Sequence, residues 1–249
     1  MTKILTAHQP AYIPWLGLFH KIALADVFVS FNQVQYLPKD WNSRNKIKTP
    51  QGDMWMTVPV LKSGHRDKKL AEIEINNSTR WAEKHWKSLL VNYARSPYFP
   101  RYAAYFEEVY LRREWTLLAD LCEEMLLWFL DELGLHVEYL DARDLDLRGA
   151  KSELVLDMCR KIDCQVYVFG KLGRDYADVE AFRAAGVEPC FQDYRHPVYR
   201  QQHGAFLPYM SVVDLLFNHG PSSLEIIMDG NLTKADVRRL AGGTGQCGM

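Results

Sequence analysis

Two segments rich in polar and aromatic side chains lie near the two ends of the 249-residue sequence. The first is His8-Gln9-Pro10-Ala11-Tyr12-Ile13-Pro14-Trp15, a predicted loop whose backbone is restricted by two prolines. A histidine such as His8 can act as a general base near neutral pH, and a glutamine such as Gln9 can hold a hydroxyl or a developing oxyanion. The rings of Tyr12 and Trp15 can stack on a sugar. A proline-shaped turn, with His8 bonded to a backbone carbonyl, would explain the segment equally well.

A second polar segment follows the second predicted strand and includes Gln35, Trp41, Asn42 and Arg44. The guanidinium of Arg44 can bind a carboxylate or a phosphate through two parallel hydrogen bonds. The amides of Gln35 and Asn42 can bind sugar hydroxyls. We therefore expect Gln35, Asn42 and Arg44 to bind substrate, although a polar turn after a strand is the competing interpretation.

The late segment is Gln192-Asp193-Tyr194-Arg195-His196-Pro197-Val198-Tyr199-Arg200-Gln201. His196 precedes a proline, which holds it out of helical geometry and suits an aimed side chain. Asp214 stands on the first turn of a helix that begins at Ser211, where it could orient a histidine or simply complement the helix dipole. We predict His8, His196 and Asp214 as catalytic residues. Three further residues of this segment are predicted to bind substrate: Gln192, Tyr199 and Gln201.

A glycine-containing turn, Gly170-Lys171-Leu172-Gly173-Arg174-Asp175-Tyr176, follows a strongly β-prone run. Such a turn can hold a phosphate on backbone N–H groups, so Gly173, Arg174 and Tyr176 are further candidate substrate-binding residues. The turn matches neither the Walker A nor the dinucleotide pattern, and an ordinary tight turn also explains it. Cys190, six residues before His196, invites comparison with a thiol nucleophile. The histidine spacing predicts no metal site.

Composition excludes several classes of protein. The formal net charge of −1 gives no field that would favour nucleic acid or an anionic membrane. No apolar run reaches the roughly 20 residues of a membrane helix, and the first residues turn polar too soon for a secretory signal. The five cysteines are widely spaced and suggest neither disulfides nor zinc. We therefore expect a soluble cytoplasmic protein that binds a small molecule, with its oligomeric state left open.

The elements that would position these side chains follow an α/β rhythm. A strand at Lys3–Ala7, a helix at Trp15–Ala25 and a strand at Val27–Phe31 predict a βαβ unit, which places ligands at the carboxyl ends of parallel strands. A β-hairpin is predicted from Trp55–Val60 and Ala71–Ile75 around a turn at 62–65. Three amphipathic helices then predict a helical insertion over roughly 77–135: Thr79–Ala94, Tyr102–Leu111 and Thr116–Leu133.

The α/β rhythm returns after residue 136. It is indicated by strands at Val137–Leu140, Gln165–Phe169 and from Gly186, and by helices at Ser152–Ile162, Asp178–Ala185 and Ser211–Phe217. Ser152 is the expected N-cap of its helix. The predicted fold is α/β, a Rossmann-like parallel sheet with an inserted β-hairpin and a helical subdomain. It would form one domain over 1–240, followed by a disordered tail at 241–249.

The two end segments together resemble the WbqC-like family. The early match is His8-Gln9-Pro10-x-Tyr12-x-Pro14-Trp15-Leu16-Gly17, then Lys21-Ile22, Ala25-Asp26, Gln35, Trp41, Asn42 and Arg44. The late match is Gly170-x-x-Gly173-x-x-Tyr176, Gln192, His196-Pro197-x-Tyr199-x-Gln201, Phe206-x-Pro208 and Ser211 to Gly220. The sequence departs from the resemblance at Asn32, where an aspartate is expected after the second strand.

The resemblance implies a bacterial protein encoded among genes for surface polysaccharides and modified amino sugars. It implies a transferase that places an acyl or aminoacyl group, such as glycine, on the amine of a nucleotide-linked or lipid-linked amino sugar, with no cofactor. Asn32 favours a second hypothesis, a sugar- or nucleotide-binding protein without catalysis. The opening of the chain is also similar to pantothenate synthetases, which supports a Rossmann-like sheet. That similarity leaves an adenylate-forming ligase that needs ATP and Mg²⁺ as a third hypothesis.

Overall fold

The computed structural model describes residues 2–61 and 67–242, which form a mixed α/β structure. Five parallel strands make the central sheet: β1 (Ile4–His8), β2 (Val27–Ser30), β5 (Glu138–Asp141), β6 (Val166–Phe169) and β7 (Glu188–Phe191). A separate antiparallel hairpin consists of β3 (Arg44–Thr49) and β4 (Gly52–Thr57). The predicted parallel sheet and the presence of a separate hairpin are confirmed.

Helices surround the sheet and the hairpin. They are α1 (Leu16–Ala23), α2 (Trp81–Tyr93), α3 (Phe99–Glu107), α4 (Leu118–Glu132), α5 (Ser152–Ile162), α6 (Val179–Ala184), α7 (Val212–His219), α8 (Ser223–Met228) and α9 (Lys234–Ala241). A π-helical segment, Glu108–Arg112, continues α3. Within 2–61 and 67–242, no helix has the length and apolar character needed to cross a membrane.

The short central strands form because their side chains are buried on both faces of the sheet. Along β2, Phe28 packs into a large hydrophobic cluster on one face, whereas Val27 and Val29 pack into a second cluster on the other. The first cluster continues into α2, α3, α4 and α7, and the second includes residues of α5 and α6. The sheet is therefore covered by packed side chains on both faces.

The strands lie in the order β5-β2-β1-β6-β7. The chain fills the sheet outward from β1 through β2 and β5, then returns to the other side of β1 to add β6 and β7. The strand order thus reverses between β1 and β6. In open parallel sheets, the connections after two such strands leave in opposite directions and form a crevice at the carboxyl ends.

The loop after β1 is held rigidly beside this crevice. Hydrogen bonds join the buried Tyr12 hydroxyl to His85 Nδ1 (2.7 Å) and to the hydroxyl of Tyr110. Asn45 donates to the carbonyl of Ile13 (2.7 Å), which has a positive φ of 37°. A β-branched residue adopts this conformation only when its surroundings compensate the strain.

The prediction of a hairpin was wrong about which two strands form it. Trp55 belongs to β4, which pairs with β3 across a turn at 50–51, and its register matches Lys46 with Trp55. Val60 and Ile75 form a single antiparallel bridge, while Leu70–Glu72 forms a short 3₁₀ helix. Local β propensity misled the prediction because pairing with an earlier strand decided the register. The proposed turn at 62–65 lies outside the described residues.

Smaller corrections concern helix ends. Ser152 is the first helical residue rather than the cap, and its hydroxyl accepts a hydrogen bond from the backbone N–H of Asp178 (2.9 Å). The last two helices, α8 and α9, were not predicted from the sequence. Of the proposed disordered tail, residues from 243 onward lie outside the described residues, and α9 extends to Ala241. The single domain of 1–240 stays a prediction.

Candidate functional site

A cleft of about 580 Å³ lies where the strand order reverses, at the carboxyl ends of β1 and β6. Its walls come from the end of β1 and the loop after it, from α1, from the turn after β6 and from the segment after β7. Seven of the predicted site residues line it: His8, Gln9, Trp15, Asn42, Gly173, Tyr176 and Gln192. The topology has therefore brought together residues that are up to 184 positions apart in the sequence.

His8, the last residue of β1, has a defined tautomer. Its Nδ1 lies 2.7 Å from the carbonyl oxygen of Gln9, which can only accept, so the Nδ1–H donates and Nε2 is unprotonated. Nothing in the described part of the chain hydrogen-bonds Nε2. Burial, followed by the nearby charge of Lys21, lowers the pKa of His8 to about 3. His8 therefore presents a neutral acceptor nitrogen in the cleft throughout the physiological pH range.

Lys21 on α1 is a cleft residue that was not among the predicted site residues. It is only 5% exposed, and its Nζ donates to the carbonyl oxygen of Ala7 (2.9 Å). No carboxylate in residues 2–61 and 67–242 forms an ion pair with it. Burial lowers the pKa of Lys21 to about 7, because the charged form has lost hydration without gaining a counter-ion. An amine with this pKa can accept a proton at neutral pH.

Three amide side chains around the cleft are fixed by hydrogen bonds. Asn42 Nδ2 donates to Gln9 Oε1 (3.2 Å) and to the carbonyl of Pro10 (2.8 Å), which leaves the Gln9 amide N–H groups unused by the described residues. Gln192 Nε2 donates to the carbonyl of Gly17 (2.8 Å) and to His20 Nδ1 (2.6 Å). Its Oε1 makes no hydrogen bond with the described part of the chain. Gln9 thus offers donors to a ligand, and Gln192 offers an acceptor.

Two glycines allow the cleft walls to pack closely. A Cβ at Gly17 would lie 2.9 Å from the ring of Tyr194, a cleft residue that follows β7. A Cβ at Gly173 would lie 2.5 Å from Phe169 Cβ, because the 3₁₀ turn Lys171–Asp175 folds back over the end of β6. These contacts are too short for any larger residue. Gly173 is therefore required for the close packing of this turn on β6, and its predicted contact with a substrate phosphate stays a prediction.

The turn after β6 contributes charge and aromatic surface at the rim. Lys171 and Tyr176 line the cleft, and Tyr176 is 46% exposed. Arg174 does not line it, and its guanidinium lies 4.9 Å from the centroid of the Phe191 ring. Lys171 rather than Arg174 is thus the basic residue that the turn presents to a ligand.

The late segment forms a different structure, which we call the Asp214 cluster. The carboxylate of Asp214 is fully buried and accepts hydrogen bonds from Tyr93 (2.9 Å), Tyr199 (2.9 Å) and Gln201 (2.8 Å). Burial raises the pKa of Asp214 despite these donors. None of these side chains lines the cleft. Asp214, Tyr199 and Gln201 therefore hold the late segment against α2 and α7, which is a structural role.

His196 is also placed outside the cleft. Its Nδ1 lies 2.9 Å from the carbonyl of Pro197, and its Nε2 accepts a hydrogen bond from the backbone N–H of Tyr209 (3.1 Å). Both ring nitrogens are thus occupied, and burial lowers its pKa. The structure gives His196 no free nitrogen with which to act as a base.

Other predicted residues lie apart from the cleft. Tyr12 is buried in the hydrogen-bonded group with His85 and Tyr110, and Gln35 is exposed beside a single bridge to Lys69. Arg44 begins β3 rather than lying in a turn. Cys190 of β7 is only 2% exposed and lies in a hydrophobic cluster. Its thiol is therefore too buried to act as a nucleophile on a bound substrate.

Comparison with known proteins agrees with the resemblance of the two end segments. The model of the WbqC-like protein family matches residues 9–226. The chain belongs to the WbqC-like protein family. It is 35% identical over 213 residues to the uncharacterized protein Rv1507c of Mycobacterium tuberculosis (strain ATCC 25618 / H37Rv), covering 85% of this chain and 92% of that protein. No solved structure matches the chain.

The position at which this WbqC-like protein departs from our expectation, Asn32, lies outside the cleft. Asn32 Nδ2 donates to Glu123 Oε1 (2.8 Å) and to Asp141 Oδ1 (3.0 Å). Ser30 also donates to Glu123 (2.6 Å), and Arg143 pairs with both carboxylates. An aspartate at position 32 would add a third carboxylate with no amide to bridge the other two. The described residues contain no group of His, Cys, Asp and Glu that could hold a metal ion.

Sequence reasoning missed Lys21 and Tyr194 as cleft residues. A weak signal existed for Lys21, because the crossover helix of a βαβ unit packs on its sheet and α1 is otherwise almost entirely apolar. Tyr194 belongs to the late segment, but nothing local distinguished it from the neighbouring residues of that segment. Its place in the cleft depends on how the segment after β7 crosses the start of α1.

Proposed function

We propose that this WbqC-like protein is an enzyme that transfers an acyl or aminoacyl group, such as glycyl, to the amine of an activated amino sugar. The observation that carries the proposal is that a buried lysine and a neutral histidine line one cleft, together with aromatic and amide side chains. The strand order supports a Rossmann-like sheet, in which ligands bind at the reversal point.

The residues of the cleft divide naturally between binding and proton transfer. Trp15, Trp41 and Tyr176 present aromatic surface on which a sugar can stack, and Lys171 can hold an attached phosphate. Gln192 Oε1 can accept a hydrogen bond from a sugar hydroxyl. These contacts would orient the sugar with its amine toward His8 and Lys21.

In the proposed reaction, the amine nitrogen attacks the carbonyl carbon of the donor. His8 Nε2 accepts a hydrogen bond from one amine N–H and holds the lone pair toward the donor. Neutral Lys21 accepts the proton that the amine loses as the C–N bond forms. The leaving group departs with the electron pair of its bond to the carbonyl carbon and takes this proton from Lys21. The Gln9 amide N–H groups stabilise the oxyanion that develops on the carbonyl oxygen.

The first experiment is a thermal shift and calorimetry comparison of uridine-diphosphate-linked amino sugars with their N-acetylated forms. A ligand present at 100 times its Kd adds about 2.7 kcal/mol of stability. We expect the free amines to stabilise the protein and the N-acetylated sugars to bind more weakly, because the acetyl group occupies the space next to His8.

Mass spectrometry of the bound sugar incubated with acyl and aminoacyl thioesters then tests the transfer itself. A mass increase that depends on Lys21 supports the enzyme. Tight binding with no product over long incubation would favour the non-catalytic sugar-binding alternative. Product formed only with ATP and Mg²⁺ would favour the ligase.

A further inference from the structure

A row of tryptophan rings leads out of the cleft along the hairpin. The His8 and Trp15 rings lie 5.1 Å apart, Trp15 and Trp41 lie 5.8 Å apart, and Trp41 and Trp55 lie 5.5 Å apart, measured between ring centroids. Trp15 and Trp41 line the cleft, whereas Trp55 lies beyond it on β4. We call Trp15, Trp41 and Trp55 the aromatic track.

The outer part of the track is exposed. Trp41 is 39% exposed and Trp55 is 41% exposed, and no other tryptophan belongs to the exposed large hydrophobic residues of the described chain. An exposed tryptophan ring does not contribute the free energy that its burial would give. Two adjacent exposed rings that continue a cleft therefore indicate a surface that binds a ligand.

The outer end of the track also carries a cation without a counter-ion. The guanidinium carbon of Arg44 lies 4.3 Å from the centroid of the Trp55 ring. Lys46 Nζ also lies over this ring, 5.0 Å from its centroid, but Lys46 forms an ion pair with Asp53. Arg44 forms no ion pair within residues 2–61 and 67–242. Arg44 Nε is buried and has no hydrogen-bond partner there. Stacking on Trp55 holds the guanidinium in place, ready to bind an anionic group.

The order of these groups indicates which ligand fits. A nucleotide-linked sugar carries a diphosphate between its two flat parts, but the middle of the track is Trp41, and the unpaired cation lies at the far end beyond it. An oligosaccharide instead presents one ring after another with no charge between them. An acidic substituent on its outer sugar would then reach Arg44.

We propose that the aromatic track is an outer subsite for an acidic oligosaccharide, whose successive sugar rings stack on Trp41 and Trp55 and whose carboxylate binds Arg44. The proposal extends the proposed function, since it rests on the cleft binding the amino sugar of the same ligand. The amino sugar bound in the cleft is then the end residue of an oligosaccharide that continues along the track.

Calorimetry with four probes tests the subsite: glucosamine, a glucosamine–glucuronate disaccharide, the matching glucosamine–glucose disaccharide and uridine diphosphate glucosamine. We expect the acidic disaccharide to bind about tenfold tighter than glucosamine, as expected for stacking on an additional ring. Trp55→Ala should abolish this gain and leave glucosamine affinity unchanged. Arg44→Gln should remove only the difference between the acidic and neutral disaccharides.

Leu90→Ala is the matched control, because Leu90 is 42% exposed on α2, outside the track. If Trp55→Ala still binds the acidic disaccharide more tightly than glucosamine, the subsite proposal is overturned. It is also overturned if Trp55→Ala lowers the affinity for uridine diphosphate glucosamine instead, because the track would then bind a nucleotide. Failure of the proposed function looks different, because glucosamine then fails to bind the wild-type protein. Disaccharide binding that depends on Trp55 would still support the subsite in that case.

Discussion

The cleft and the Asp214 cluster are built from the same kinds of residue, but they use them in opposite ways. In the cleft, His8 Nε2, the Gln9 N–H groups and Gln192 Oε1 carry no hydrogen bond with the described residues, and Lys21 has no counter-ion among them. In the Asp214 cluster, the carboxylate accepts three side-chain hydrogen bonds. Unused polar groups are costly in a fold and are kept where a ligand uses them, whereas satisfied groups hold a structure together.

The two regions are also physically connected. The backbone N–H of Val212 donates to the carbonyl of Pro14 (2.8 Å), and Ser211 forms a bridge with Trp15. Tyr194, which enters the cleft, begins the segment that the Asp214 cluster holds in place. The Asp214 cluster therefore supports the wall of the cleft. Substitutions in the cluster should lower stability, whereas substitutions in the cleft should lower turnover.

The largest effect of a substitution is expected on turnover, at Lys21 in the cleft. Lys21→Met should lower turnover by about 10²- to 10⁴-fold, because the reaction loses the group that accepts the proton. Steady-state kinetics with the amino sugar and donor measures the effect. Lys161→Met, at a surface lysine of α5, is the control and should leave turnover unchanged. Near wild-type turnover in Lys21→Met would remove the lysine from the mechanism.

Asp214→Ala should act on stability. The substitution removes the Asp214 acceptor of the Tyr93 and Tyr199 hydroxyls and one of the two acceptors of the Gln201 amide, which costs about 3 kcal/mol or more. Urea denaturation measures the loss, with Asp193→Ala at an exposed aspartate as the control. If the folded variant instead kept its stability and lost turnover, Asp214 would belong to the catalytic machinery after all.

The two histidines give a direct contrast. His8→Ala should lower turnover by about 100-fold with little change in stability, because Nε2 bonds only to substrate. His196→Ala should keep turnover and lose about 1 kcal/mol of stability, since the Tyr209 N–H loses its acceptor. Steady-state kinetics and thermal unfolding of both variants test this prediction. Loss of turnover in His196→Ala with unchanged turnover in His8→Ala would contradict the assignment of catalysis to the cleft and of support to the late segment.

Lys21 should also make the stability of the protein depend on pH. In the unfolded chain Lys21 keeps its proton up to its ordinary pKa of 10.5, but in the folded protein it loses the proton near pH 7. Between these values the unfolded state binds more protons, so the stability of the wild type rises with pH, and the full cost is present below pH 7. Lys21→Met should therefore raise Tm at pH 6, and the gain should shrink toward pH 10. A gain that does not change with pH would show that Lys21 is not buried as a charge.

The sequence by itself determined the first three elements of the sheet region and one edge of the site. Apolar patterns over Lys3–Ala7, Trp15–Ala25 and Val27–Phe31 predicted β1, α1 and β2 closely, because hydrophobic periodicity acts over a few residues. Since the carboxyl ends of parallel strands share one edge, the polar loop after β1 and the glycine turn after β6 could be assigned to the same ligand face. The structure brings both to the cleft.

Only the tertiary structure decided which polar residues lack a hydrogen-bond partner within the described residues and are available to a ligand. Tyr93 and Asp214 are 121 positions apart, and nothing local in the late segment distinguishes a closed cluster from an active site. The register of β3 with β4, the burial of Lys21 and the row of tryptophans that leaves the cleft likewise depend on long-range packing. Residue type is a local property of the sequence, but hydrogen-bond satisfaction and burial, which turn the same residue into a support or a reactive group, are set by the whole fold.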